Sequence, residues 1–170
     1  MSESSLTAER VRELLHYDPL TGVFTRRVRT AQRHQVGDRA DFLITGGNSA
    51  GYHRVAVDSE RYLAHRVAWL YQFGEWPAKF IDHRSGIKSE NFISNLRCVE
   101  TMVNLQNIRV ARRSNRSGLL GAHWDEQSGK FRASIVVDHK KHHLGSFDDP
   151  ALAHAAYVQA KRLMHVGCTI

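Results

Sequence analysis

The feature that most constrains this chain is a polar stretch at residues 81–109, IDHRSGIKSENFISNLRCVETMVNLQNIR. It begins with an acid and a histidine side by side, Asp82 and His83, and it later reaches Asn95 and then Asn104. A glycine-containing turn separates the two ends, and apolar residues recur at a spacing of three near the last one. We expect extended chain before Asp82, then irregular backbone, and then a helix from about residue 100.

The residue types in this stretch suit metal-assisted hydrolysis of a phosphodiester bond. Such a reaction needs a base that deprotonates water and positive charge that stabilises the reacting phosphate. Magnesium ions take oxygen ligands, so Asp82 and Asn104 are candidate metal ligands. His83 suits the general base, and Asn95 is the candidate for holding its second ring nitrogen. Because adjacent strand residues point to opposite faces, Asp82 and His83 are expected to have different roles.

Each of these side chains also has an ordinary structural explanation when it is taken alone. Asp82 could cap a turn, and His83 could be a hydrogen-bonded surface histidine. The two asparagines could lie in a turn and on the surface of a helix. Short motifs occur by chance, so it is the combination within one span that favours a catalytic site.

The net charge of +7 over 170 residues indicates a polyanionic partner, with nucleic acid expected first and an anionic membrane second. No apolar run approaches the roughly 18 residues that span a bilayer, and residues 1–15 have no signal-peptide pattern. We therefore expect a soluble cytoplasmic protein. Its two cysteines, Cys98 and Cys168, form neither a disulfide framework nor a paired-cysteine zinc site.

Upstream of the polar stretch the pattern predicts a small mixed unit. It contains an amphipathic helix at 6–16, a turn at 17–22 and the start of a strand at 23–25. A basic loop or ragged hairpin at 26–48, a β-hairpin at 51–64 and a helix at 65–73 follow.

The helix at 65–73 carries two further candidates. Arg66 could clamp the phosphate that reacts, whereas we expect His65 to be a packed, hydrogen-bonded residue. Trp69 and Trp76 are expected in the core and not on a binding surface.

After residue 109 the composition changes. VARRSNRSG at 110–118 is basic and rich in serine and asparagine, which is typical of a linker. Strands are then predicted at 119–124, 130–137 and 142–147, and Pro150 begins a final helix. Three antiparallel strands covered by one helix would make a complete small unit.

Alternation along the strand at 130–137 gives it an outward face with Lys130, Arg132 and Ser134. The neighbouring strands add either His123 or Trp124 and either His142 or His143. A basic face of this kind can enter the major groove of DNA, although a solvated basic sheet is the ordinary explanation. The arginines that precede it are expected to follow phosphates or to form a solvated linker: Arg109, Arg112, Arg113 and Arg116.

The polar stretch resembles the ββα-metal motif, also called the His-Me finger, of the HNH nucleases. It is most similar to the homing endonucleases of phages and introns. The shared pattern is an acid–histidine pair, an asparagine before a leucine at Asn95, and an asparagine on the motif helix at Asn104. The resemblance extends over residues 50–109. Relatives carry a histidine where this chain has Asn107.

This resemblance implies the roles of the individual residues. Asp82 and Asn104 would bind a divalent metal, with Mg²⁺ expected and Mn²⁺ as the alternative. His83 would activate water, and Asn95 would orient His83 or pin the loop.

The segment at 117–167 resembles the ethylene-response-factor type of DNA-binding domain. The shared landmarks are Gly121, Trp124, Gly129-Lys130, Arg132-Ala133, LGSF at 144–147 and the alanine-rich helix. The resemblance implies DNA contacts from four side chains, those of Trp124, Lys130, Arg132 and Ser134.

Together these observations predict an α+β protein with a ββα-metal nuclease domain at 1–109, a basic linker at 110–117 and a three-stranded sheet packed on one helix at 118–170. The predicted activity is that of a DNA endonuclease acting on double-stranded DNA in a bacterial host cell or encoded by a phage. We expect it to need no small-molecule cofactor and to bind no membrane. Nicking and double-strand cleavage by a homodimer both stay open. The alternatives are a non-catalytic DNA-binding regulator on a nuclease scaffold and a module that binds or cleaves RNA.

Overall fold

The computed structural model describes residues 5–170 and divides them into two compact units, one ending at Glu100 and the other spanning Thr101–Ile170. The described residues hold four α-helices and small antiparallel sheets of two or three strands, which is compatible with the α+β class. In this part of the chain no helix is long and apolar enough to cross a membrane. The division between the units falls before the predicted motif helix.

The first unit begins with a helix and a hairpin. Helix α1, Ala8–Leu14, starts where the hydroxyl of Thr7 accepts a hydrogen bond from a backbone N–H in the first turn. It ends sooner than the sequence predicts, because the chain turns into strand β1, Leu15–Tyr17. Strand β2, Phe24–Arg26, pairs with β1 in antiparallel register.

A three-stranded antiparallel sheet and a helix complete the core of this unit. The sheet has the order β3-β4-β5, with β3 at Asp41–Leu43, β4 at His53–Val57 and β5 at Glu60–Leu63. Helix α2, Ala64–Phe73, follows β5 directly and buries its apolar face in the core. It ends at Gly74 in the left-handed conformation, so the predicted hairpin and helix stop are both confirmed.

Strands β6, Phe80–His83, and β7, Leu96–Val99, form a separate antiparallel pair in which Asp82 lies opposite Arg97. The loop at 84–95 joins them and closes with a short 3₁₀ turn, Ile93–Asn95.

The second unit contains helix α3, Thr101–Gln106, and a sheet of order β10-β9-β8 covered by helix α4, Pro150–Met164. The strands are β8, Ala122–Asp125, β9, Lys130–Val137, and β10, Lys140–Phe147. Helix α4 lies very close to the sheet, since a Cβ on Gly121 would come within 2.0 Å of the Tyr157 ring. The three predicted strands and the proline-led helix are confirmed.

Candidate active site

Asp82 is a buried carboxylate held by a cation on the neighbouring strand. It is 6% exposed, and its Oδ2 accepts bonds from Arg97 Nε at 2.8 Å and Arg97 Nη2 at 2.7 Å. Arg97 is the register partner of Asp82 across the β6–β7 pair. A carboxylate that is removed from water needs a charged partner of this kind, and Arg97 supplies it for Asp82.

His83 is 4% exposed, and its Nε2 lies 3.1 Å from Oδ1 of Asn91, a residue that is 2% exposed. An amide oxygen accepts hydrogen bonds, so Nε2 carries the proton in the neutral ring and Nδ1 carries the lone pair. Burial lowers the pKa of His83, against the opposing effects of the Asn91 bond and the carboxylates of Asp82 and Glu90. The site therefore holds a neutral imidazole of fixed tautomer, the form that a general base requires.

In this structure the side chain of Asn95 forms hydrogen bonds with the backbone of the loop at 84–95. Its Oδ1 accepts from the N–H of Ser85 at 2.8 Å, and its Nδ2 donates to the carbonyl of Glu90 at 2.8 Å. The sequence predicted that Asn95 holds the second ring nitrogen of His83, whereas Asn91 takes that position. The reason is that Asn95 ends a 3₁₀ turn, where its side chain lies between the two limbs of the loop. Of the two roles that the family resemblance implied, pinning the loop is the one that these bonds match.

His65 and Tyr52 cover the ring of His83. The ring centroids of His65 and His83 are 5.1 Å apart in an edge-on contact, and the Tyr52 ring lies 5.9 Å from that of His83. Burial, together with the neighbouring His83 and Arg66, lowers the pKa of His65 to about 3. His65 is packed as predicted, but its buried Nδ1 has no hydrogen-bond partner among the described residues.

The β1–β2 turn supports the loop that carries Asn91. The Tyr17 hydroxyl donates to the Asn91 carbonyl at 2.6 Å, and the N–H of Ile93 donates to the Pro19 carbonyl at 2.9 Å. Gly22, at φ +75°, lies so close that an added Cβ would be 2.4 Å from the carbonyl carbon of Asn91. The β1–β2 hairpin thus fixes the backbone of Asn91, the hydrogen-bond partner of His83.

The donor chemistry fits a hard divalent cation. Such an ion takes oxygen ligands, and Asp82 offers a carboxylate whose Oδ2 Arg97 holds. Asn104 lies on α3 in the second unit. The described residues contain no cluster of three or more His, Cys, Asp or Glu side chains arranged for a metal.

Arg66 lies beside the segment that leads into β6. Its Nη1 is 3.4 Å from the Lys79 carbonyl and its Nη2 is 3.5 Å from the Pro77 carbonyl. The guanidinium also lies 5.9 Å from the centre of the Trp76 ring. These contacts hold the Arg66 side chain against the segment before β6. Its contact with a phosphate stays a prediction.

In the second unit, strand register decides the alternatives that the sequence left open. His123 of β8 lies opposite Arg132, and His143 of β10 lies opposite Ser134, so both histidines join the outward face. Trp124 borders the same groove, but its ring packs edge-on against Phe131 at 4.9 Å on the helix side. The groove over this face has a volume of about 580 Å³.

The basic residues outside this groove are mostly exposed. Arg112 and Arg113 are exposed, and Arg116 pairs with Glu126 and lies 5.5 Å from the Trp124 ring centre. Lys130 Nζ lies 3.3 Å from Asp148. The predicted linker makes its own turn bonds; for example, the Ser117 hydroxyl lies 2.7 Å from the Ala122 carbonyl.

Sequence reasoning missed Asn91, Arg97 and Tyr52 as members of the site. Arg97 had a usable signal, because the residue that pairs with a buried acid across two strands is expected to be basic. Asn91 and Tyr52 had none, since loops lack the periodicity that tells an inward side chain from an outward one.

Residues 62–110 match the family model of the HNH endonucleases. The matched span contains β6, the loop at 84–95 and β7. It therefore includes His65, Asp82, His83, Asn91, Asn95 and Arg97, whereas Tyr17 and Tyr52 lie before it. No curated protein and no solved structure gives a significant match to the chain. The family match supports a nuclease, a hydrolase of phosphodiester bonds, with DNA as its substrate.

Proposed function

We propose that the chain is a metal-dependent DNA endonuclease of the HNH homing type, directed to its target by the sheet of its second unit. The observation that carries the proposal is the buried His83, whose tautomer Asn91 fixes next to the Arg97-paired carboxylate of Asp82. Neutral imidazole next to a carboxylate ligand is the pairing that water activation at a phosphate needs.

The proton of the attacking water goes to Nδ1 of His83, because Nε2 already carries a proton that it donates to Asn91. Burial supports this role by holding the pKa of His83 down, so the ring is neutral and able to accept a proton at pH 7. Asn95 keeps the loop in place through Ser85 and Glu90, and it acts as a positioning residue.

Asp82 would supply the carboxylate ligand of a divalent cation, and the sequence-based prediction assigns a second oxygen ligand to Asn104. Mg²⁺ is the expected ion and Mn²⁺ the alternative. When bound, the ion neutralises charge on the phosphate and on the leaving oxygen. Arg97 keeps Asp82 oriented, since it holds Oδ2 through two nitrogens.

The second unit would bind double-stranded DNA through the outward face of β8, β9 and β10. Arg132, Lys141, His123 and His143 provide positive or titratable groups there, and exposed arginines at 112 and 113 precede it. Tethering such a reader to the nuclease unit raises the local concentration of DNA at His83.

The test is cleavage of supercoiled plasmid by the full chain in Mg²⁺, with EDTA and His83→Ala as negative controls. His16→Ala is the matched control, because it removes an exposed histidine of β1. We expect nicked or linear product with wild type and His16→Ala only. An intact plasmid under Mg²⁺ and Mn²⁺, with binding retained, would favour the non-catalytic regulator instead.

A further inference from the structure

The outward face of the second unit carries one acid that the DNA-binding proposal does not explain. Asp125, at the end of β8, lines the same groove as Arg132, His123 and His143. A carboxylate on a surface that meets phosphates weakens binding by repulsion. Its presence there therefore requires a local reason.

That reason is its bond to Arg132. Nη2 of Arg132 lies 3.0 Å from Oδ2 of Asp125, and the Asp125 side chain is 18% exposed while that of Arg132 is 51% exposed. The acid itself is fixed, because the hydroxyl of Ser128 donates to the same oxygen at 2.5 Å. Arg132 of the central strand β9 is thus held by a carboxylate that is itself fixed at the end of the edge strand β8.

We propose that Asp125 is a positioning residue that aims the guanidinium of Arg132 at one guanine of the target. Arginine reads guanine through two parallel bonds to O6 and N7 in the major groove. The bond to Asp125 uses one of five N–H donors, so the guanidinium retains the fork that this contact needs. Ordering a long side chain before binding removes part of the entropy loss of the complex. This inference rests on the proposed DNA-binding role of the sheet.

Two opposite effects distinguish this role from a structural one. Asp125→Asn keeps an oxygen that accepts from Ser128, so the turn survives, but it removes the charge that holds Arg132. Binding to random DNA should become tighter, because one repulsive charge is gone. Preference for guanine at one position should fall by about 2- to 12-fold, the equivalent of ordering one side chain on binding.

The experiment is selection of bound duplexes from a randomised library by the full chain in EDTA, which prevents cleavage. Wild type, Asp125→Asn, Arg132→Lys and Asp148→Asn are compared. Arg132→Lys identifies the position, since it should lose about 5- to 150-fold of guanine preference there. Asp148→Asn is the matched control, because it removes the same charge from the Lys130 pair and should leave every base preference unchanged.

The outcomes separate the two proposals. If wild type selects no sequence and binds no duplex, the DNA-binding role of the sheet fails. If wild type selects a motif and Asp125→Asn keeps its guanine preference, only the positioning role is overturned. Should Asp125→Asn not fold, Asp125→Glu moves the same charge by one methylene and is expected to weaken the same guanine position. If neither variant folds, Asp125 serves the turn alone and the inference is wrong.

Discussion

Gly22→Ala tests whether the β1–β2 turn holds the loop that carries Asn91. Gly22 has φ +75°, and a Cβ built on it lies 2.4 Å from the backbone of Asn91 and Phe92. Ordinary contact begins near 3.4 Å, so the loop must retreat by about 1 Å. The left-handed conformation costs about 1–2 kcal/mol for alanine, and overpacking adds about 1–3 kcal/mol.

The same displacement should affect catalysis as well as stability. Asn91 holds His83 at 3.1 Å, and a shift of about 1 Å in a positioning group costs on the order of 100-fold in rate. We therefore expect a strongly reduced rate of plasmid nicking and a loss of about 2–5 kcal/mol in the free energy of unfolding. Urea unfolding followed by tryptophan fluorescence measures the latter.

Gly37→Ala is the matched control, because Gly37 has φ +90° and nothing lies within 4 Å of an added Cβ. It carries the conformational penalty without the contact, so it should cost about 1–2 kcal/mol and leave nicking unchanged. Amide hydrogen exchange over 84–95 should increase in Gly22→Ala alone. Equal stability losses and equal nicking rates in the two variants would refute the supporting role of the turn.

Four further predictions concern the buried residues around His83. Asn91→Ala should lower the nicking rate by about 10- to 100-fold, the usual effect of removing a residue that hydrogen-bonds a histidine at a metal site. An unchanged rate would remove Asn91 from the mechanism. Because burial depresses the pKa of His83 and a cation on Asp82 would depress it further, nicking should persist below pH 6.5 in a plasmid assay across pH 5–8. A nicking rate that falls as the pH drops through 6.5 would contradict this. Unfolded His65 takes up a proton near pH 6.5 but the folded residue only at about 3, so the stability present above pH 6.5 should fall as pH drops between these values, with a smaller slope in His65→Phe. Arg97→Ala should destabilise the chain by about 3–5 kcal/mol in urea unfolding because the buried Asp82 loses the cation that holds its Oδ2, and adding Asp82→Asn should recover part of the loss.

Regular elements were predictable where the sequence has a period or a stop signal. The strand at Lys130–Val137 alternates, and its register with β8 and β10 then placed His123 and His143 outward. The alternation alone could not choose between neighbouring residues of the edge strands, because pairing register is a tertiary property. Helix α1 was predicted too long for a similar reason, since pairing of Leu15 with Arg26 competes with its last turn.

The candidate site was predictable in its chemistry and not in its contacts. Asp82 and His83 stand at a strand end that the pattern indicates, whereas Asn91 and Asn95 lie in a loop where nothing periodic tells their roles apart. Each asparagine can bond a side chain or the backbone equally well. The choice depends on Tyr17 and Gly22, which are distant in sequence and fix the loop from outside.

The physical cost of the cluster bears on the choice between an enzyme and an inactive scaffold. Asp82, His83, Asn91 and Asn95 are each at least 94% buried, and burying polar groups costs free energy that their hydrogen bonds must offset. Apolar residues of similar volume would stabilise such a position as well or better. A fold that needs only to bind DNA gains nothing from a buried neutral histidine of fixed tautomer. A general base needs that environment, because burial keeps it neutral and the Asn91 bond leaves the lone pair on Nδ1. If replacing both hydrogen-bond partners by an apolar residue of similar volume, His83→Leu with Asn91→Leu, makes the chain more stable than wild type while abolishing nicking, this exchange of stability for activity will have been measured directly.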